Sequence, residues 1–351
     1  MTKRFRLVAV GVGAALALGG CGSSGSGGES SKGHSASASV SSTRRSPDAS
    51  ITHAEAASIT RAYEKQNNIA ISKALNKPYD AKAWQTVDSG PILAADAYDT
   101  RAASLKKSKQ PTSAGPEKAP RVLSAFGSPT HSSDGREPWT LVIAHRDGSK
   151  APDASVAGAF VYVKGPTGWR MDAQMGGVTL KTLPHEVQTT PSLTAAQRQA
   201  AANAVPVVVD AVATGTMSHV ANPAPLKAFR TAVRADGSKG YLVGADCRPW
   251  GTKEGTDVAT ATVVGTDALR LTRVGAQTLA VLNLDCRLDT YSQDGGQVQI
   301  PRDVARVEGD DGKAKDSVVR RASLMVLMSI PDKGKPKIIG SDGTYLIPTK
   351  H

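Results

Sequence analysis

The strongest constraint on this chain is an order of elements that occurs twice. In Ile51-Thr52-His53-Ala54-Glu55, Thr52 stands three residues before Glu55. This is the reciprocal pattern in which side chains satisfy the free backbone N–H groups of a helix start. Ala56, Ile59, Ala62, Tyr63, Ala70 and Ala74 then recur at helical spacing to about Leu75, and Asn76-Lys77-Pro78 stops the run. Thr194 with Gln197 repeats the device, followed by an alanine-rich stretch to about Val205. Pro206 is expected to kink or end that second helix, which leaves Val207-Val208-Val209 undecided.

Extended apolar runs follow each helix. In the first half these are Trp139 to Ala144, Val156 to Val163 and Trp169 to Met171. In the second they are Tyr241 to Val243, Val258 to Val264, Leu269 to Val274, Thr278 to Leu284, Ala322 to Ile330 and Lys337 to Ile339. Several alternate apolar with polar, the mark of a strand with one wet face. Asp-Gly pairs beginning at 134, 147, 236, 294, 311 and 342 read as tight hairpin turns. The halves correspond at an offset near 140: Thr140 to His145 matches Thr278 to Asn283. Ala159 to Pro166 matches Leu324 to Pro331. The expectation is an α+β protein of two tandem, duplicated domains, 51–187 and 188–351, each a helix packed on a curved antiparallel sheet. This order of elements resembles the cystatin-like and nuclear-transport-factor-like folds, which implies a cone-shaped pocket between helix and sheet in each half.

What precedes residue 51 carries an address. Met1 to Arg6 holds three positive charges and no acid, an apolar run extends from Leu7 to Leu18, and Gly19, Gly20 and Cys21 follow. A basic segment, an apolar segment and small residues at a cut are the parts of a secretory signal. The apolar run is well short of the roughly 20 residues a spanning helix needs. Leu18-Gly19-Gly20-Cys21 resembles the lipobox of bacterial lipoproteins, with Gly19 where Ala, Ser or Thr is usual. The resemblance implies that residues 1–20 are removed and that Cys21 carries a lipid, palmitate included. Residues 21–50 are rich in Ser and Gly and nearly devoid of apolar side chains, so they read as a solvated tether. The chain as a whole resembles the alanine-rich lipoproteins of high-GC actinobacteria, a family that implies a location and no particular activity.

Charge and cysteine content fit that address. Formal charge is +12, of which Lys3, Arg4 and Arg6 contribute three. A basic exported body suits anionic lipid, an anionic envelope polymer or an acidic envelope protein. Nucleic acid is a poor partner in that compartment, and the charges are scattered rather than gathered on one helix. Apart from Cys21, Cys247 and Cys286 form an even pair, each within Asp-Cys-Arg at the end of an apolar run. In an oxidising space they read as a disulfide, with two free thiols or a metal pair as the alternatives. No neighbouring His or Cys completes a zinc set.

Catalytic patterns are sparse. Gly-x-Ser-x-Gly, the phosphate-binding loop, His-Glu-x-x-His and Cys-x-x-Cys do not occur. Ser104-Leu-Lys-Lys107 matches Ser-x-x-Lys by spacing, yet lies in a lysine-rich, solvated run. Glu308-Gly-Asp-Asp-Gly312 lacks the alternate oxygen ligands of a calcium loop and reads as a hairpin turn. Trp169 and Trp250 read as packing residues or as pocket walls. His145, next to Arg146 and Asp147 at a strand end, is the one histidine in a setting that suits chemistry; His53 reads as part of the helix cap. No catalytic residue, cofactor or metal ligand is assigned. The composite expectation is a lipid-anchored protein on the outer face of the cell membrane, non-enzymatic, binding or structural. The alternative is an envelope hydrolase or transferase with a site around His145.

Overall fold

In the computed structural model, the described residues are 51–107, 120–128, 137–145, 156–179, 183, 193–236, 241–252, 266, 268–274, 277–292 and 294–348. The signal segment, Cys21, the tether and the run Val258 to Val264 lie outside them. The first half comprises helix α1 (His53–Ala74), a 3-10 turn (Ala81–Thr86), helix α2 (Gly90–Lys106) and strands β1 (Arg121–Ser128), β2 (Trp139–His145), β3 (Val156–Gly165) and β4 (Gly168–Thr179). The second comprises α3 (Ala195–Thr214), α4 (Ala224–Asp236), β5 (Tyr241–Pro249), β6 (Leu269–Val274), β7 (Gln277–Ser292), α5 (Arg302–Glu308), β8 (Ser317–Ile330) and β9 (Lys337–Leu346). All strand pairs within the two sheets are antiparallel, so the fold is α+β as the alternation implied.

Both expected helix starts form. Thr52 accepts from the Glu55 N–H while Glu55 reaches back to the Thr52 N–H, and Thr194 with Gln197 does the same. Pro206 neither ends nor shortens α3, which continues to Thr214. Proline in a helix interior costs about 3 kcal/mol. Ala201, Ala204, Val205, Val208, Ala211 and Val212 offset it, because they recur on one face and are buried in the core shared with the second sheet. Three helices were not read from the sequence: the short α5 and, among the longer ones, α2 and α4. A proline sits in the first turn of both longer ones, Pro91 and Pro225, where a missing N–H has no intrahelical partner to lose.

Each sheet is a meander. The first has the order β1-β2-β3-β4, and the second β5-β7-β8-β9 with β6 also paired to β7. Register explains the extra strand. β5 runs from Tyr241 opposite Ser292 to Pro249 opposite Leu284, and β6 resumes with Leu269 opposite Leu282. The two segments therefore lie end to end along the same edge of β7 as one interrupted strand. At the interruption Trp250 donates to the Asn283 carbonyl, and the Asn283 N–H donates to Ala268. The matched segments Thr140 to His145 and Thr278 to Asn283 fall in the second strand of each sheet, β2 and β7. Those around Ala159 and Leu324 fall in the third, β3 and β8.

The sheets stack on each other, with β1 against β6 and β4 against β9. Alternation along β7 shows the layering. Ala280, Leu282 and Leu284 join the core under α3 and α4, whereas Leu279 and Val281 join the core of the first half. From β8 and β9, Met325, Leu327 and Ile339 join that same first-half core. β2 is buried along its whole length, since α1 covers one face and the second sheet the other. The closest approach is at Gly340 on β9: an added Cβ would meet Val178 of β4 at 2.9 Å. The layers are thus helix, sheet, sheet, helix.

Among the described residues, no Asp-Gly pair closes a hairpin. Asp342-Gly343 lies inside β9, and Asp310 follows the Gly309 cap of α5, with its N–H bonded to Ala305. Glu308 to Gly312 is therefore a helix end rather than a hairpin turn. Asp294-Gly295 follows β7 on the way to α5, and Asp236 ends α4. The pairs at 134 and 147 lie outside the described residues. The β3–β4 hairpin is closed instead by Gly165-Pro-Thr-Gly168.

Cys247 and Cys286 form a disulfide between directly opposed residues of β5 and β7. Because the strands are antiparallel, two copies of Asp-Cys-Arg place Arg248 opposite Asp285 and Asp246 opposite Arg287. Arg248 lies 3.6 Å from Asp285, which also accepts two 2.7 Å hydrogen bonds from Arg321. The bridge closes a loop of 39 residues that contains the interrupted edge. Replacing both cysteines with alanine is expected to lower unfolding stability by about 4 kcal/mol on the chain-entropy account. Chemical denaturation of oxidised wild type and the double variant measures it; equal midpoints would show that the bridge adds nothing.

Candidate functional site

Three polar features lie where the halves meet, and they differ in character. The first is closed. Asp172 on β4 is 2 % exposed and receives hydrogen bonds from Ser89 Oγ (2.8 Å), Arg270 Nε (3.2 Å) and Asn283 Nδ2 (3.1 Å). Ser89 is the residue preceding α2, and its hydroxyl donates to Asp172 rather than capping its own helix. The first turn of α2 contains no acid, so Asp172 supplies the negative charge that a helix N-terminus favours. Gly90 has φ +51°, and an added Cβ would stand 2.7 Å from the Asp172 carboxylate. Backbone bonds fix this junction: Ser89 N–H donates to Met171, and Met171 N–H to Val87. The arrangement is a bolt, with its cation and its anion both consumed.

The second feature is open. Ile92, Ala95, Asp96 and Asp99 share one face of α2 at helical spacing. They face Gln174 of β4, Met325 of β8 and Asp342, Gly343 and Thr344 of β9. Together they bound a small cleft that is partly open to solvent. Ile92 and Met325 are buried, and with Ala95 they form apolar walls. Three carboxylates, a hydroxyl and an amide supply the polar surface. Gln174 is 8 % exposed, and its Oε1 is buried without a hydrogen-bond partner. That oxygen is sealed from solvent, so its missing partner is a cost carried by the fold rather than a contact open to a ligand. Asp342 is fixed by the Gly343 N–H at 2.8 Å. Among the described residues, no group of three His, Cys, Asp or Glu is placed to hold a metal ion.

A third cluster clamps α5 to the first half. Arg320 of β8 binds both Glu308 oxygens, Tyr98 of α2 donates to Glu308, and the Arg320 guanidinium lies 3.4 Å above the Tyr345 ring. Lys106 of α2 pairs with Asp303 of α5 at 3.2 Å. Burial raises the Tyr98 phenol above its ordinary 10.0, with the Glu308 charge adding to it. Burial also raises Tyr63 well above 10.0, with Asp88 and Asp96 adding; Tyr63 donates to Asp88 at 2.9 Å.

The residues singled out from sequence fall elsewhere. His145 ends β2, is 7 % exposed, and its Nε2 has no hydrogen-bond partner; it is not a wall of the cleft. Arg146 and Asp147 lie outside the described residues, as do His34, His131, His185 and His351. His53 Nε2 donates to the Val122 carbonyl and joins α1 to β1. Ser104 to Lys107 forms the last turn of α2, where Lys106 is spent on Asp303. Trp169 packs on the first core, and Trp250 on the second with Arg321 above its ring. Asp172, Gln174 and the acidic face of α2 were not singled out. Only the spacing Ile92, Asp96, Asp99 within a helix opened by Ser89-Gly90-Pro91 could have marked them.

Removing one partner of the bolt leaves a buried charge uncompensated. Asp172→Ala is expected to destabilise by about 3–5 kcal/mol, and Asp172→Leu combined with Arg270→Met by much less. Thermal and denaturant unfolding of both variants tests this; equal losses would mean that the pair acts only by packing. The tyrosines set a second test. Below pH 10 folded and unfolded chains both keep the phenol protons; above it the unfolded chain releases them while Tyr63 and Tyr98 hold theirs. Stability should therefore begin to fall above about pH 10, with Tyr63 and Tyr98 at least, among the seven tyrosines, resisting ionisation by ultraviolet difference absorbance until unfolding. Ordinary ionisation of all seven in the folded protein would contradict the burial of both phenols.

Comparison with protein-family models, curated proteins and solved structures finds no match to this chain.

Proposed function

We propose that this is a lipid-anchored protein of the outer face of the cell membrane, whose folded body binds or braces another envelope component and performs no chemistry of its own. The observation that carries the address is the ordered run of basic segment, apolar segment and Leu18-Gly19-Gly20-Cys21. The Ser- and Gly-rich composition between Cys21 and the first helix suits a body held off the bilayer. The Cys247–Cys286 disulfide suits an oxidising compartment. No described helix is long and apolar enough to cross a membrane, so attachment by lipid at Cys21 would do that work.

Binding rather than catalysis is favoured by how the buried charges are used. Asp172 with Arg270, Glu308 with Arg320, and Asp285 with Arg321 are each committed to joining elements of the fold. The open cleft offers recognition groups and no nucleophile–base pair. Two helix-and-sheet halves stacked through a common core suit a bracing role.

Growth with an alkyne-bearing palmitate, followed by mass analysis of the membrane-extracted protein, tests the anchor. The expected result is a diacylated Cys21 as first residue, with label and membrane retention both lost in Cys21→Ala. An unlabelled protein beginning elsewhere would overturn the proposal.

A further inference from the structure

One end of the stacked sheets is basic, and register fixes which residues share it. In the first sheet Arg121 opposes His145 and Val156 opposes Thr179. Gln174 N–H meets Met325 Sδ, whose register partner is Asp342, while Gly340 approaches Val178. The last residues of β4 and the first of β9 therefore lie at the same end, where Lys337 opposes Ser329. Arg273 opposes Thr278, which opposes Ile330, and so belongs to that end too. Beyond it projects the β8–β9 connection, residues 331–336, with Lys333 and Lys335 exposed. Its base is held by the segment before α4. Ala221 N–H donates to Pro336 at 2.8 Å, Ile338 N–H to Ala221 at 2.9 Å and Asn222 Nδ2 to Ile338 at 2.6 Å. Lys227, exposed near the start of α4, adds a further cation. Across the segments 219–227, 273–279 and 329–337, Asp332 is the single acid. The opposite end has the other sign: from Asp289 through α5 to Asp316 the chain holds seven acids and four bases.

We propose that this basic end docks on the surface of a bilayer rich in anionic phospholipid, with the acidic end and α5 turned away from it. This deepens the envelope role proposed above and rests on it: a lipid at Cys21 would bring body and bilayer together, and the lysines decide which end faces the headgroups. Ile51 donates to Gly127, near the far end of β1. β1 is eight residues long, about 27 Å. The 30 residues from 21 to 50 can span at most about 100 Å, so the basic end is within their reach. Its cations are spread over both sheets, which stack about 10 Å apart. That breadth matches a plane of phosphates rather than a single phosphate or one polymer chain. Each lysine brought to an anionic bilayer strengthens binding about fivefold, an effect lost beyond a Debye length.

The test uses the full mature chain carrying Cys21→Ala, so that no acyl chain contributes. Flotation is measured with vesicles of phosphatidylcholine alone and with vesicles of equal parts phosphatidylcholine and phosphatidylglycerol. Binding is expected to the mixed vesicles only, and to vanish in about 1 M salt, where the Debye length shrinks to about 3 Å. Lys333→Gln, Lys335→Gln and Lys337→Gln together are expected to weaken it about a hundredfold. Arg302→Gln, Arg306→Gln and Lys313→Gln remove the same charge from the opposite end, and together should change it by less than about fivefold. These six side chains are exposed or half-exposed, so both variants should keep the wild-type unfolding midpoint. Equal losses in the two variants, binding to phosphatidylcholine alone, or no binding to the mixed vesicles would overturn the proposal. So would tighter binding to a soluble poly(glycerol phosphate) than to the vesicles, which would assign this end to an envelope polymer. The salt and headgroup dependence of the wild type decides the matter even where a variant fails to fold. Because the chain tested carries no lipid, a negative result leaves acylation of Cys21 standing. An unlabelled Cys21 with intact vesicle binding would remove the anchor and leave the docking end.

Discussion

Asp172 is the point at which four parts of the chain become dependent on one another. Its carboxylate sits on the last strand of the first sheet, beside the N-terminus of α2, and accepts from β6 and β7 of the second sheet. A charge this deeply removed from water is tolerable only when its partners are in place. Ser89, Arg270 and Asn283 must therefore arrive together, which requires α2, the resumed edge strand and β7 to be in register. A one-residue slip of β6 would turn Arg270 to the other face of the sheet and leave Asp172 buried without its cation. The stacking of the two sheets is thus specified by polarity at its centre and stabilised by apolar contact around it.

That arrangement also accounts for the interruption between β5 and β6. Asn283 stands opposite the gap, with its backbone carbonyl taken by Trp250, its N–H given to Ala268 and its side chain given to Asp172. The strand edge departs and returns on either side of the residue that holds the bolt. Beyond the gap the disulfide ties β5 to β7, and the two Asp-Cys-Arg copies set opposite charges against each other. The cleft lies beside these features, on the α2 face that carries Asp96 and Asp99 in place of apolar residues.

Local signals were legible where one element satisfies itself. The capping pairs Thr52–Glu55 and Thr194–Gln197 needed only their own first turn, and the cysteine pair needed only strands of adequate length. Signals failed where a distant surface decided the outcome. Pro206 reads as a stop, yet burial of Val205, Val208 and Val212 under the second sheet carries the helix through it. Asp342-Gly343 reads as a turn, yet Phe229 of α4 occupies the space where a side chain at 343 would stand, so glycine is required mid-strand. α2 was hidden because its buried face carries Asp96 and Thr100, which blur the apolar rhythm of a buried helix. The sheet-to-sheet packing itself left no mark beyond strands buried on both faces, such as β2.

The central claim is that the two sheets form one cooperative body, joined through a common core and the Asp172 junction. Native-state hydrogen exchange of the backbone amides tests it most directly, because it reads the opening free energy of each strand separately. If the account holds, the slowest amides of β2 and β3 exchange with the same free energy as those of β7 and β8, and Asp172→Ala lowers both sets together. If instead the first sheet opens at distinctly lower free energy while β7 and β8 stay protected, the halves are independent units in contact, and the account is wrong.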